Sequence, residues 1–342
     1  MSRLRADAPI KILIVDDSPV FRELLARALA LDPSIVVVAS AADPFEARDQ
    51  ILKHRPDAMT CDVEMPGMNG IEFLRRLLPQ YPIPVVVVSS VSEAVFDALA
   101  AGAVDFVAKP NMASPQALPR FIQELIIKVK IAAKSKVAPQ EPSAPGAPGA
   151  TGTEAGPAKL IAIGASTGGT EAIFHILSNL PVSVPGIVIA QHIPPVFSRM
   201  FAERLHQQTQ LTVKEARTGD EVRAGCAYVA PGDKHMRVKR SGHTFRLECA
   251  EGEKVNGHCP SVDILFESVA REAGGSAIGV ILTGMGYDGA KGLLAMRRKG
   301  ARTFGQDERS SVVYGMPKVA YDIGAVQRQL PLREIPRLLG SL

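Results

Sequence analysis

Ser166 stands in the stretch LIAIGASTGGTEAIFHIL, residues 160–177, where an apolar run breaks into a glycine-bearing turn and resumes with helical spacing. Gly164-Ala165-Ser166-Thr167-Gly168 satisfies Gly-x-Ser-x-Gly, the sharp strand-to-helix turn that presents a serine hydroxyl for attack. The same residues fit a dinucleotide loop poorly. Gly164 and Gly169 fill the first and third positions of G-x-G-x-x-G, but Ser166 fills the second, where a side chain obstructs a pyrophosphate. The next apolar run, GIVIAQHI, ends in Gln191 and His192 rather than in an acid that would hold a ribose hydroxyl.

A serine nucleophile needs a base and an orienting acid at the same sheet edge. His192 closes the following strand, and Asp288 follows the apolar run SAIGVIL and its TGMG turn. The chain order Ser, His, Asp differs from the Ser, Asp, His of α/β-hydrolases, but geometry and not order decides mechanism. His192 is then expected to take the Ser166 proton while Asp288 fixes its tautomer. Backbone N–H groups of the STGG and TGMG turns would hold the oxyanion. Activity would rise with pH as an imidazole loses its proton. His235 and His258 are lesser candidates for the base, because neither closes a parallel strand beside the nucleophile's. Each residue singly has an ordinary explanation, a surface histidine or a helix-capping Asp for instance; three at neighbouring strand ends are harder to explain so.

A second set of reactive groups lies in the first 110 residues. Asp16 and Asp17 close one apolar run, Asp62 another, Ser89 and Ser90 a third, and Lys109-Pro110 a fourth. Carboxylates converging at one sheet edge repel unless a cation shares the site. Hard oxygen donors with open positions suit Mg²⁺. A carboxylate beside such an ion and a lysine can accept a phosphoryl group.

Two folded units must position these groups. The first contains five short runs, IKILIVDD, SIVVVASAAD, DAMTCD, PVVVVSS and VDFVAKP, separated by helical stretches such as SPVFRELLARAL and GIEFLRRLL. Near-continuous β-branched runs imply strands covered on both faces, hence a parallel sheet. Five βα units in about 120 residues predict a doubly wound, flavodoxin-like domain with its site at the carboxyl ends of the strands. Ser18 is expected to cap the first helix, with Pro19 in its first turn. Residues 134–159, KSKVAPQEPSAPGAPGATGTEAGPAK, are dominated by Pro, Gly, Ala and Ser and have no helical or strand period. Such a segment reads as a linker. The second unit again alternates strand and helix and predicts a doubly wound, Rossmann-like α/β domain with a mostly parallel sheet. The expected boundaries are 8–132, 133–157 and 158–342.

The balance of 39 basic and 35 acidic residues, 5% aromatics and no Trp give no basic stacking surface for nucleic acid. The four cysteines form no CxxC pair and no zinc-like spacing. No secretory pattern opens the sequence and no apolar run approaches the length of a membrane span, so a cytoplasmic location without membrane insertion is expected.

The VDD, CDVEMPGMNG, VSS and AKP motifs resemble a response-regulator receiver domain over about residues 10–130. The resemblance implies that Asp62 is the phosphoacceptor and that Asp16, Asp17 and Asp62, with the Glu64 backbone carbonyl, hold Mg²⁺. It further implies that Ser89 and Lys109 bind the phosphoryl group and that Phe106 reorients on activation. The segment SSVSEAVFDALAAGA is a couple of residues shorter than receivers usually have, which leaves the length of the fourth helix open. IGASTGG, AQHIP, APGDKHM, HCPSVD, TGMGYDGA and GQDE…VVYGMP together resemble the catalytic domain of the chemotaxis protein-glutamate methylesterases over about 158–342. That resemblance implies Ser166 as nucleophile, His192 as base, Asp288 as orienting acid, and Thr167 and the Met285 backbone at the oxyanion. It also implies chemoreceptors as substrates, methanol as product, deamidation of receptor glutamines, and a chemotaxis histidine kinase as phosphodonor, with no cofactor at the esterase site. The receiver is expected to block receptor access until Asp62 is phosphorylated. The alternatives are a response regulator with a non-catalytic binding output and a nucleotide-dependent α/β enzyme. The absence of a helix-turn-helix with a basic face argues against a DNA-binding output.

Overall fold

In the first unit, short valine- and isoleucine-rich segments alternate with amphipathic helices: β1 Ile10–Val15, α1 Pro19–Leu29, β2 Ile35–Ala41, α2 Pro44–His54, β3 Ala58–Asp62, α3 Gly70–Leu77, β4 Val85–Ser89, α4 Ser92–Ala100, β5 Asp105–Ala108 and α5 Ala117–Ala132. The structure, a computed structural model, describes residues 8–90, 92–111, 114, 116–135 and 159–341. The chain divides into two compact units, one within residues 1–140 and the other within 141–342. Of the expected linker, residues 136–157 lie outside the described residues.

The five strands pair in parallel in the order β2-β1-β3-β4-β5, the doubly wound order expected from the sequence. Every residue of the central strands β3 and β4 is buried, whereas β2 at the edge is only partly so. Each large apolar side chain taken fully out of water there stabilises the fold by about 1.5–3 kcal/mol. Ser18 caps α1, its hydroxyl accepting the Phe21 N–H, with Pro19 in the first turn. The short segment after β4 still forms a helix, the nine-residue α4.

The second unit follows as β6 Leu160–Ala165, α6 Gly169–Ser178, β7 Gly186–Gln191, α7 Pro195–Gln208, β8 Thr212–Glu215, β9 Cys226–Val229, β10 His235–Ser241, β11 Thr244–Ala250, α8 Val262–Glu272, β12 Ala277–Ile281, α9 Ala290–Arg298, β13 Arg302–Gln306, α10 Met316–Asp322, β14 Arg328–Leu330 and α11 Ile335–Gly340. Seven strands form a parallel sheet in the order β14-β13-β12-β6-β7-β9-β8, and β10 and β11 form a separate antiparallel hairpin. The chain leaves β6 toward β7 on one side and later adds β12 on the other, so the strand order reverses beside β6. That reversal opens a crevice at the carboxyl ends of the strands. Phe201 of α7 and Phe266 of α8 are fully buried in this unit. No helix among the described residues is long and apolar enough to cross a membrane, and the four cysteines are free.

Candidate active site

Ser166 is the first residue past β6, at the reversal of strand order. The parallel ladders continue one residue beyond the strands on both sides of it. Ala165 pairs with Gln191, and the His192 N–H donates to the Ala165 carbonyl at 3.1 Å. Ser166 and His192 are therefore neighbours across two strands. On the other side the Ser166 N–H donates to the Thr283 carbonyl at 3.0 Å. Gly284 is needed there: a Cβ on it would lie 2.7 Å from the Ser166 Cβ and 2.4 Å from the Met316 sulfur. Gly168, with φ of 76°, carries the chain from the Ser166 turn into α6 through the left-handed region. Ser166 itself remains partly exposed.

Buried polar groups hold this turn. The Gln191 amide donates to the carbonyls of Ser166 at 2.9 Å and His192 at 3.1 Å. The Thr283 hydroxyl donates to the Thr167 carbonyl at 3.0 Å, and the Thr283 N–H donates to the Gln306 side chain at 2.8 Å. Thr167 is buried, whereas the Met285 side chain is half exposed on the facing loop.

His192 donates or shares its Nε2 proton with Asp288 Oδ2 at 2.8 Å. Its Nδ1 is buried and has no hydrogen-bond partner among the described residues. With Nε2–H directed to a carboxylate, Nδ1 carries the lone pair, the form a general base requires. Asp288 reaches the site from a loop seven residues beyond β12, not from the strand end itself. It does not cap its own helix α9, whose N-cap is Gly289. Instead it sits over the start of α8, accepting N–H groups from Val262 at 2.7 Å and Asp263 at 3.2 Å, the Ser261 hydroxyl at 2.8 Å and the Asn256 amide at 2.8 Å. One carboxylate thus both caps α8 and meets His192. Burial pushes its carboxyl up, but the hydrogen bond and charge of His192, with the Asn256 and Val262 donors, outweigh burial and hold it well below the usual carboxylate range. It stays ionised.

The two lesser base candidates separate clearly. His235 is buried with both ring nitrogens committed: Nε2 donates to the Glu253 carbonyl at 2.8 Å and Nδ1 accepts the Ser261 N–H at 3.2 Å. The His258 ring stacks on His192 with centroids 3.6 Å apart and planes 10° apart. The bracing roles of Gln191, Thr283, Ser261 and Asn256 leave no periodic signal, because their contacts span up to 116 residues. The Asn256-Gly257 dipeptide, a tight-turn signal, was the one local clue to its loop.

At the carboxyl edge of the first sheet, oxygens of Asp16, Asp17 and Asp62 lie within 4.8 Å of one another. Lys109 Nζ stands 2.7 Å from Asp62 Oδ2 and 3.0 Å from Asp16 Oδ2, and 4.6 Å from the Phe21 ring centre. The Glu64 N–H donates to Asp62 Oδ1 at 3.2 Å, and the Ser90 hydroxyl to Glu64 Oε2 at 2.8 Å. Ser89 and Phe106 are buried in β4 and β5. Burial pushes the Asp62 carboxyl above its ordinary range despite Lys109. Burial opposes the Lys109 charge, yet Asp62 and Asp16 hold that lysine above its ordinary range. Three carboxylates against one ammonium leave excess negative charge at this edge. The buried Asp16 Oδ2 makes no well-formed hydrogen bond even with Lys109 close by. Hard oxygens and surplus negative charge fit a small divalent cation.

Residues 12–121 match the model of the response regulator receiver domain, and residues 161–339 match that of CheB methylesterase. A phosphoacceptor fold and a crevice-bearing α/β unit on one chain define a response regulator with an enzymatic output. The chain belongs to the CheB methylesterase family. It is 57% identical over 333 residues to a protein-glutamate methylesterase/protein-glutamine glutaminase 2 of Syntrophomonas wolfei, covering 97% of each chain. It is 47% identical over 330 residues, 95% of each, to a protein-glutamate methylesterase/protein-glutamine glutaminase of Salmonella typhimurium. The crystal structure of the Thermotoga maritima CheB methylesterase catalytic domain is similar with a TM-score of 0.53 and 38% identity, over 54% of this chain and 98% of that one.

Proposed function

We propose that this chain hydrolyses glutamyl methyl esters on chemoreceptors, releasing methanol, that it deamidates receptor glutamines at the same serine, and that phosphorylation of its receiver switches this activity on. The observation that carries the chemistry is the His192–Asp288 pair beside Ser166, with Nδ1 of His192 buried and unpartnered. Ser166 Oγ attacks the γ-carbonyl carbon as His192 takes its proton. Backbone N–H groups around Thr167 and Met285 stabilise the oxyanion, each donor supplying about 3–4 kcal/mol. The imidazolium returns the proton to the leaving oxygen, so methanol departs and a glutamyl-serine ester remains. Water, deprotonated by His192, cleaves that ester to give the receptor glutamate and regenerate Ser166. From a glutamine the leaving group is ammonia. Asp288 stays ionised throughout and stabilises the imidazolium.

In the receiver, Asp62 is the phosphoacceptor, with a chemotaxis histidine kinase as donor. Asp16, Asp17 and Asp62, with the Glu64 backbone carbonyl, would hold Mg²⁺, which when bound offsets charge on the phosphoryl oxygens. Lys109 and Ser89 bind those oxygens, and Phe106 reports the change. The unphosphorylated receiver restrains the esterase, and the protein acts in the cytoplasm. The test is methanol release from methylated chemoreceptor, with and without a small-molecule phosphodonor. Wild type is expected to accelerate with the donor, Ser166→Ala to release none while remaining folded, and a chain lacking residues 1–140 to be faster than the intact unphosphorylated one. An active Ser166→Ala protein refutes the serine mechanism, and a truncated chain no faster than the intact one refutes the restraint.

A further inference from the structure

The turn Val255–His258 takes no part in that chemistry, yet it touches both members of the His192–Asp288 pair. Asn256 and Gly257 have φ of 54° and 84°, and the flanking residues exchange backbone hydrogen bonds, Val255 N–H to His258 O and His258 N–H to Val255 O, each 3.0 Å. This is the two-residue turn that Asn-Gly favours. His235 ties the loop on both sides of it, through Glu253 and Ser261. The turn is thus a fixed mount with two attachments, Asn256 and His258.

We propose that this turn clamps the His192–Asp288 pair from two sides, Asn256 positioning the carboxylate and His258 the imidazole. The inference rests on the reading of Ser166, His192 and Asp288 as the catalytic groups. Asn256 Nδ2 donates at 2.8 Å to Asp288 Oδ1 and at 2.8 Å to Asp263 Oδ2. Both carboxylates are buried, and Asp263 is anchored in turn by the Gly292 N–H at 2.7 Å. The amide stands between two acids that would otherwise repel, and it commits both of its N–H groups to them. It thereby fixes the rotation of the Asp288 carboxylate that meets His192.

His258 acts on the other partner. Its near-parallel ring limits the tilt of His192, and the in-plane hydrogen bond to Asp288 depends on that tilt. The charged or titratable groups facing His258 are His192, Asp288 and Lys254. Burial foremost, and then the His192 and Lys254 charges, push the His258 imidazole down to about 4 against the pull of Asp288. At neutral pH it is an uncharged aromatic plate and not a second base.

The experiment is steady-state methanol release by the full chain with methylated receptor. Asn256→Gly keeps the positive φ but removes the amide; kcat is expected to fall about 10- to 100-fold, as for a small misplacement of reacting groups, with KM within about threefold. Asn256→Asp keeps the turn but sets a third carboxyl against two buried acids, one of which then stays protonated, so kcat is expected to fall at least as far as in Asn256→Gly. His258→Ala should lose kcat and His258→Phe, which preserves the stacked ring, should recover most of it. The clamp is overturned if Asn256→Gly and His258→Ala keep wild-type kcat, or if His258→Phe is as impaired as His258→Ala. Ser166→Ala separates the two failures. Turnover by Ser166→Ala refutes the catalytic assignment, whereas an inert Ser166→Ala alongside a fully active Asn256→Gly refutes the clamp alone.

Discussion

Replacing Asp288 by Asn tests whether this carboxylate selects the working tautomer of His192. In the wild type, Oδ1 receives Asn256, Ser261 and the Asp263 N–H, while Oδ2 receives His192 Nε2–H and the Val262 N–H. The single amide oxygen of Asn satisfies the three donors on the Oδ1 side. Its NH₂ then faces two donors, Val262 N–H and His192 Nε2. The histidine can relieve its own conflict only by accepting at Nε2 and moving its proton to Nδ1, the nitrogen assigned to the serine proton. The same exchange in a serine-protease triad lowers kcat about 10⁴-fold, about 5 kcal/mol of barrier. The Val262 N–H has no such escape, and a buried unsatisfied donor costs about 1–3 kcal/mol. That is smaller than the roughly 5–15 kcal/mol by which domains are stable, so the variant should fold and be nearly inert. Methanol release from methylated receptor, with a thermal melt of the same sample, measures both quantities. A folded Asp288→Asn protein within tenfold of wild-type kcat would refute the tautomer argument.

The pH dependence of stability should carry the Asp288 signature as well. A carboxyl held below its unfolded value contributes stability that is fully present above about pH 4 and is lost as the pH falls toward the folded value. Asp263, pushed up by burial, acts in the opposite sense, so the comparison is between wild type and Asp288→Asn: acid denaturation of the second unit should be less steep in the variant. Gly284→Ala should drive a Cβ into the Ser166 Cβ and backbone N, lowering kcat about 100-fold with about 1–3 kcal/mol of destabilisation in a denaturant titration. In the receiver, Asp62→Asn should abolish acceleration of methanol release by a phosphodonor. Lys109→Met should weaken that acceleration, because two buried carboxylates lose their only ammonium neighbour among the described residues.

Much of this molecule could be read locally. The five apolar runs of the receiver became β1 to β5 within a residue or two, because strands covered on both faces need apolar residues at every position. Asp16, Asp62, Ser89 and Lys109 could be placed at one edge for the same reason: a parallel sheet sends every strand's carboxyl end the same way. Gly-x-Ser-x-Gly marked the Ser166 turn through the steric demand of its glycines, and His192 followed from the length of β7. Asp288 was visible only as an acid after a glycine turn.

The set of elements, the direction of the sheets and the reactive residues at strand ends follow from period and turn chemistry within about ten residues. The tertiary structure alone decided which nitrogen of His192 meets Asp288, that Asp288 caps α8 rather than α9, that Gln191 and Thr283 brace the serine turn, and that one Asn-Gly turn grips both members of the His–Asp pair. Those contacts join residues far apart in the chain through single hydrogen bonds and one ring stack. Their selection is by the geometry of closure, and no local pattern in the sequence encodes it.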